Sequence, residues 1–202
     1  LPVLTMEGFS GCSSLREIVM NEGVVTISKW SFKACSGLTN IVMPRSVTTT
    51  QYESFYQSYQ GLSGTVQMDS LVTLGAQTFN GCSFMTSFES GPELQSVGYR
   101  SFINCTALTG VVFRATNLLD MGYDLFSGCG KLKNLYFHGR MALTNSVNCF
   151  GGLAALTVTN WVERGKGWEA VADGAAIPGT WTSGTTQYIR YVPEKGTLVS
   201  LQ

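Results

Sequence analysis

Residues 9–15 read FSGCSSL, and close copies return as FKACSGL at 32–38, FNGCSFM at 79–85, FINCTAL at 102–108 and FSGCGKL at 126–132. The phenylalanines Phe9, Phe32, Phe55, Phe79, Phe102, Phe126 and Phe150 are separated by 23, 23, 24, 23, 24 and 24 residues. Three places after each Phe come Cys12, Cys35, Ser58, Cys82, Cys105, Cys129 and Leu153. Six places after it come Leu15, Leu38, Gly61, Met85, Leu108, Leu132 and Leu156. In the third unit Leu62 stands one step late, which predicts a local slip. A small residue precedes the Phe in most units: Gly8, Ser31, Ser54, Thr78 and Ser101.

The rest of the unit is patterned too. LREIVM, LTNIVM, LTGVVF and LKNLYF alternate apolar and polar positions, the two-residue period of a half-buried strand. A turn containing Gly, Pro or Asn follows. A second apolar pair then stands seven and five places before the next Phe, as in Val25 and Ile27, Val72 and Leu74, or Leu119 and Met121. Each unit thus offers three inward sets, and a unit this short cannot bury them alone. Stacked copies bury them against one another, which is the logic of a solenoid. With parallel strands about 4.8 Å apart, seven turns make a slab roughly 35 Å long. The recurring string is then one corner of the coil. Phe fills the interior, Cys fills a narrower slot, the small residues permit the bend and Leu begins the next strand.

These columns resemble the BspA-like leucine-rich repeats of the treponemal class, whose units run L-x-x-I-x-I-P, then V-x-x-I-x-x-x-A-F, then x-x-C. The second unit, LTNIVMPRSVTTTQYESF, follows that pattern best, and Phe-x-x-Cys is present in five of seven units. The likeness covers residues 1–160. Only Pro44 occupies the Pro column, the third unit lacks the Cys, and the seventh reads FGGLAAL with Cys149 ahead of its Phe. The resemblance implies a right-handed coil of parallel strands with short helical or 3-10 turns. It also implies secretion or display on the surface of a host-associated bacterium, with a role in adhesion or recognition.

Composition agrees with a globular domain. Apolar residues make 44% of the chain, so a core is available, while charged residues make only 13% against a usual share of about 25%. Net charge is zero, with no basic stripe for a phosphate backbone or an anionic membrane surface. No nucleic-acid partner is expected. No apolar run reaches the roughly 18 residues of a membrane span. The chain opens LPVLTMEGF without Met or a basic-then-apolar leader. A targeting segment has been removed or the chain begins inside a longer protein; an extracellular or cell-surface location is expected.

The period stops near Trp161. Residues 1–160 are assigned to the solenoid and 161–202 to a C-terminal cap, since a soluble solenoid needs a polar-faced end. In TTQYIRYVPEKGTLVSLQ, Tyr188, Arg190 and Val192 alternate ahead of EKG, which reads as a β-hairpin. A separate functional mini-domain is the alternative.

Catalytic chemistry finds no constellation. The cysteines form a column with parallel Cβ directions, poor for bridging, so free buried thiols acting as small hydrophobes are expected. There is no C-x-x-C and only one histidine, so no metal site and no cofactor is predicted. His138 and Cys149 carry no nucleophile signature. Glu93, Asp120 and Asp124 read as solvated turn residues. GCGK at 128–131 lacks the spacing of a phosphate loop. The triplet NCT at 104–106 fits a glycosylation acceptor, but its Asn104 is read as part of the buried corner. An enzyme carried by the irregular tail is the remote alternative, and the chain is read as non-catalytic.

The candidate binding surface is the outward face of the strands: Arg16, Glu17, Asn40, Glu89, Lys133, Asn134, Tyr136 and Asn160, flanked by small polar residues and Val19, Val42 and Val112. This mixed, nearly uncharged face fits a protein or glycan ligand. Tyr52, Tyr56 and Tyr59 in the irregular third unit form a second candidate. The expected function is a recognition or adhesion module. The alternative is a structural spacer that displays another domain of a longer surface protein.

Overall fold

The computed structural model describes residues 3–58, 64–132, 134–137, 140–141, 158–163 and 187–192. They form a parallel β-solenoid in which each turn repeats the path of the turn before it. Two-residue strands Val3–Leu4, Thr26–Ile27, Thr49–Thr50, Thr73–Leu74, Ser96–Val97 and Asp120–Met121 make one six-stranded sheet in chain order. Longer strands make the other face. Gly64–Met68, Met85–Ser90, Gly110–Phe113 and Asn134–Phe137 form a four-stranded sheet, and Glu17–Val19 pairs separately with Asn40–Val42. Every pairing among the described strands is parallel. No helix among the described residues is long and apolar enough to cross a membrane.

The Phe column is the spine. Rings of Phe9, Phe32, Phe55, Phe79, Phe102 and Phe126 stack in sequence with centroids 5.4, 5.1, 5.5, 5.8 and 5.4 Å apart. All but Phe9 are fully buried; Phe9, at the outer rung, is 38% exposed. Each aromatic pair adds about 0.5–1.5 kcal/mol beyond the area it buries. Phe88 and Phe113 thicken the core in later turns, Phe88 lying 5.0 Å from Phe102 in a tilted pair.

The Cys slot contains a hydrogen-bond acceptor. Sγ of Cys35, Cys82, Cys105 and Cys129 donates to the carbonyl of the Phe one turn back, at 3.0, 3.3, 3.1 and 2.9 Å. Ser58, which replaces Cys in the third turn, donates its hydroxyl to Phe32 O at 2.5 Å. The missing Cys is therefore a substitution of donor type, and the slot keeps its bond. The small residue before the Phe also acts through a hydroxyl. Ser31, Ser54, Thr78 and Ser101 donate to carbonyls three residues back at 2.9, 2.6, 2.7 and 2.6 Å. Ser31, Ser54 and Ser101 have a carbonyl of the preceding turn in range as well.

Several expectations need correction. The helical or 3-10 turns do not occur among the described residues, where each corner is a run of turns. The cause is a pair of left-handed residues bracketing each described Phe of the column. Two places before it stand Glu7, Trp30, Glu53, Gln77, Arg100 and Asp124, with φ between 51° and 60°. Two places after it stand Gly11, Ala34, Gln57, Gly81, Asn104 and Gly128, again with positive φ. Only three residues separate the two, too few for a helical bond pattern. A left-handed non-glycine residue costs about 1–2 kcal/mol. The cost is offset by peptide bonding between turns, as in Ala34 N to Tyr56 O at 2.8 Å and Gln77 N to Tyr99 O at 2.9 Å.

The inward positions of the short segment are five and eight places before the Phe, not five and seven. Val47, Leu71, Leu94 and Leu118 are buried at the eighth place, whereas Leu119, at the seventh, is 46% exposed. The thiols of Cys12, Cys35, Cys82, Cys105 and Cys129 are free, but Cys12 is exposed because only one turn covers it. Asn104 is exposed as well, since its left-handed backbone lies at the outside of the corner. Leu62, on which the slip was predicted, lies outside the described residues; just after it the register of the third and fourth turns shifts, Gly64 pairing with Met85 and Thr65 with Ser87, which leaves Thr86 of the fourth turn as the extra residue. Strand Gln187–Val192 pairs in parallel with Val158–Glu163. The return arm of the expected hairpin, Phe150 and most of 161–202 lie outside the described residues.

Candidate functional site

Parallel register turns a 23- or 24-residue spacing into a row of neighbours. On the four-stranded sheet Gln67, Glu89, Val112 and Tyr136 align in one row, and Thr65, Ser87, Gly110 and Asn134 in another. On the two-stranded sheet Glu17 aligns with Asn40, and Val19 with Val42. The structure therefore sets Glu17 beside Asn40, and places Glu89 and Tyr136 in one row with Val112 between them, while Asn134 stands in the other row. Arg16 stands just before its strand, exposed, with its carbonyl accepting from Thr39 N and Asn40 N. Asn160 lies in strand Val158–Glu163, opposite Ile189. Lys133, His138, Cys149 and Tyr59 lie outside the described residues.

The polar contacts on this face are local. Asn40 Nδ2 donates to Glu17 Oε1 at 2.7 Å. Arg114 Nε donates to a Glu89 carboxylate oxygen and forms an ion pair with it. Val19 is 64% and Val42 46% exposed beside these polar groups. Below the row, Glu22 is held by the backbone N–H groups of Arg45 and Ser46, both at 3.0 Å. The Arg45 N–H bond is the main cause that lowers the Glu22 carboxyl below the usual range. A pocket lined by Met43, Pro44, Arg45, Val47, Gln67, Met68 and Asp69 opens where the two long-strand sheets part. Its cavity volume is about 30 Å³, which holds little more than a single water.

A second surface runs along the corner, on the side chains that precede each Phe. Lys29 Nζ lies 3.9 Å from the Trp30 ring centroid and 5.3 Å from that of Tyr52. Lys33 Nζ lies 5.1 Å from Trp30 and 5.2 Å from Tyr56. Trp30 Nε1 donates to Glu53 Oε2 at 2.8 Å, and Lys33 pairs with the same oxygen at 3.5 Å. Gln77 Nε2 donates to the Tyr52 hydroxyl at 2.8 Å. The bond between Tyr52 and the Glu53 side chain, followed by desolvation, pushes the Tyr52 phenol up to about 12. Farther along, Tyr99 and Tyr123 stack at 5.1 Å and 3°, and Arg100 lies 5.3 Å from Tyr123 while pairing with Asp124. Of this stripe the sequence reading found only Tyr52 and Tyr56. The signal was the column three places before each Phe: Lys29, Tyr52, Ala76, Tyr99 and Tyr123.

The buried thiols are chemically quiet. Burial pushes Cys35 up to about 11 and Cys82 up to about 12, and it raises Cys105 as well. A protonated, enclosed thiol is a poor nucleophile. Among the described residues no three His, Cys, Asp or Glu side chains group as a metal site.

Known proteins give the context. The family described as the BspA type leucine rich repeat region matches in six copies, over residues 3–133 and 58–160. No curated protein matches the chain. A T. pallidum leucine rich repeat protein of known structure is similar with a TM-score of 0.61 and 22% identity, covering 80% of this chain and 67% of its own. A leucine-rich repeat protein from Bacteroides ovatus is similar with a TM-score of 0.53 and 18% identity, covering 95% of this chain and 57% of its own. The likeness to both is one of fold. With the repeat columns, the parallel turns and a family match over well more than half its residues in agreement, the chain belongs to the BspA type leucine rich repeat family.

Proposed function

We propose that this chain is a non-catalytic recognition module that binds a protein or glycan partner through the outward face of its long strands. Its family is one of interaction or structural proteins, typically without enzymatic activity. The observation that carries the proposal is register. Glu17 and Asn40 on one sheet, and Glu89, Asn134 and Tyr136 on the other, stand in rows that repeat at strand spacing. Such a lattice of polar and apolar side chains suits an extended partner. A place outside the cell fits the thiol column, because four of the five described cysteines are enclosed and protected from an oxidising medium.

The test is saturable binding of the purified chain to panels of extracellular-matrix proteins and glycans. A Glu17→Ala, Asn40→Ala, Glu89→Ala variant is expected to weaken that binding at least tenfold without altering the fold. Absence of saturable binding to any panel member removes the proposal. A second reading, a rigid spacer displaying another domain, is favoured by the unbroken Phe stack from Phe9 to Phe126. It fails if the natural reading frame encodes no further domain.

A further inference from the structure

The tyrosine column three places before each Phe has one rung missing. Its residues are Lys29, Tyr52, Ala76, Tyr99 and Tyr123. Tyr99 and Tyr123, on adjacent turns, stack at 5.1 Å with their planes 3° apart. Tyr52 and Tyr99 stand two turns apart, about 9.6 Å at the spacing of parallel strands, and they do not stack. Between them the column holds only the methyl group of Ala76, which is partly exposed.

The outer side of each ring is taken. Tyr52 has the Lys29 ammonium over it from the second turn, and Tyr99 has the Tyr123 ring against it from the sixth. Among the described residues no ring or cation lies between the two inner faces. The floor is firm. A Cβ on Gly98 would sit 2.3 Å from Ala76 N, and one on Gly122 2.2 Å from Tyr99 N, so the backbones here are in direct contact. Glu53 N and Gln77 N tie the same shelf to Ala76 O and Tyr99 O at 3.0 and 2.9 Å. Gln77 reaches the Tyr52 hydroxyl, at the edge of the ring, and receives Asn80 Nδ2 on its own oxygen at 2.8 Å.

We propose that this gap, floored by Ala76 and walled by Tyr52 and Tyr99, is a seat for an aromatic side chain of a protein partner. Stacked rings prefer centroids roughly 4.5–7 Å apart. A flat ring placed midway would lie about 4.8 Å from each wall, which restores the missing rung. A pyranose stacked on its C–H faces spans a similar width, so the choice between the two rests on charge. The charge around the seat adds a second feature. Lys29 forms no ion pair among the described residues, whereas Lys33, Arg100 and Arg114 each have a carboxylate partner. A carboxylate next to the inserted ring would meet the Lys29 ammonium beyond Tyr52. The fitting partner segment thus pairs an aromatic residue with an acidic one. This rests on the chain being a recognition module but places the anchor on the corner, away from the strand rows.

The experiment uses saturation-transfer NMR on the full chain with the peptide N-acetyl-Asp-Trp-amide. Lactose and chitotriose serve as sugar arms, and N-acetyl-Lys-Trp-amide as the charge control. The acidic peptide is expected to bind saturably, in the millimolar range for a single ring, and several-fold better than the lysine peptide. Ala76→Tyr supplies the missing ring from within. It should leave or raise the thermal midpoint while weakening the peptide at least tenfold. Tyr99→Ala should weaken it similarly. The strand-face variant Glu17→Ala, Asn40→Ala, Glu89→Ala should bind the peptide as the parent does, so failure of the strand-face reading is seen separately. Equal binding by the parent and Ala76→Tyr overturns the proposal, as does binding by neither. Saturable binding of a sugar that Ala76→Tyr abolishes also overturns it, and reassigns the seat to a glycan.

Discussion

The two faces of this solenoid meet the third turn differently. The short-strand sheet crosses it unbroken, with Thr49 paired to Thr26 on one side and to Thr73 on the other. The long-strand face is split there into Glu17–Val19 with Asn40–Val42 and a four-stranded sheet that begins at Gly64–Met68. The difference teaches where register is stored. Phe55 stacks at 5.1 and 5.5 Å on its neighbours, and Ser58 keeps the carbonyl bond of the Cys slot. The corner thus holds its place while the long strands shift register by one residue beside Gly64 and Thr65. The direct way to break this contrast is to empty the corner at the slipped turn. Phe55→Ala is expected to destabilise by about 3–5 kcal/mol, read by denaturant unfolding. Val66→Ala, on the slipped strand, should cost clearly less. Equal costs would mean that register is spread over both faces.

The same contrast explains what was legible in the sequence. A column is visible when its side chain repeats, as at Phe32, Phe79 and Phe102. It is invisible when only its backbone repeats. Trp30, Glu53, Gln77, Arg100 and Asp124 share a left-handed φ yet share no side-chain chemistry. This hid the corner stripe and also the reason the corner is not helical. Ser58 looked like a lost Cys because the sequence shows atoms and not the Phe32 carbonyl they reach. Val25 and Val72 looked inward because apolar residues occupy both the seventh and the eighth places before the Phe. Only the packing, with Leu71, Leu94 and Leu118 inside, decides between them. Of the candidate surface, Glu17 with Asn40 followed from spacing alone; the Arg114 to Glu89 pair did not, because it crosses rows.

The next effect comes from the corner's protons. Burial holds Cys82 up to about 12 and Cys35 up to about 11, and the Glu53 bond holds Tyr52 up to about 12. In the unfolded chain thiols ionise near about 8.5 and tyrosine near about 10. These groups therefore contribute stability that is complete below those unfolded values and is lost as pH rises toward the folded ones. The thermal midpoint should be level from neutral pH to about 8.5 and fall steadily above it. Cys82→Ser, which keeps a donor as Ser58 does, should flatten that fall. A midpoint unchanged up to pH 11 contradicts the buried-thiol account.

A smaller effect sharpens the meaning of the slot. Ser58→Ala removes the side-chain donor from the buried Phe32 carbonyl, which keeps Cys35 N at 3.3 Å, at an expected cost of about 0.5–1.5 kcal/mol. Ser58→Cys should recover most of the loss, since four other turns use a thiol for the same bond. If Ser58→Cys is as damaging as Ser58→Ala, the slot of the slipped turn differs in shape from the others.

The smallest effect belongs to the strand rows and bears most on function. Asn40 donates to Glu17 across two exposed strands. Both groups regain water when the contact is removed, so Asn40→Ala is expected to change stability by about 0.5 kcal/mol or less. The measurement is a denaturant midpoint compared with that of Phe55→Ala in the same buffer. A near-silent result places the polar rows outside the structural economy of the coil, where the Phe spine and the Cys slot hold register without them. Any binding lost with Asn40 is then lost at a contact, because the turns beneath it have not moved. A cost above about 1 kcal/mol reverses the inference: the Glu17 to Asn40 bond would be part of what keeps the isolated two-stranded sheet in place.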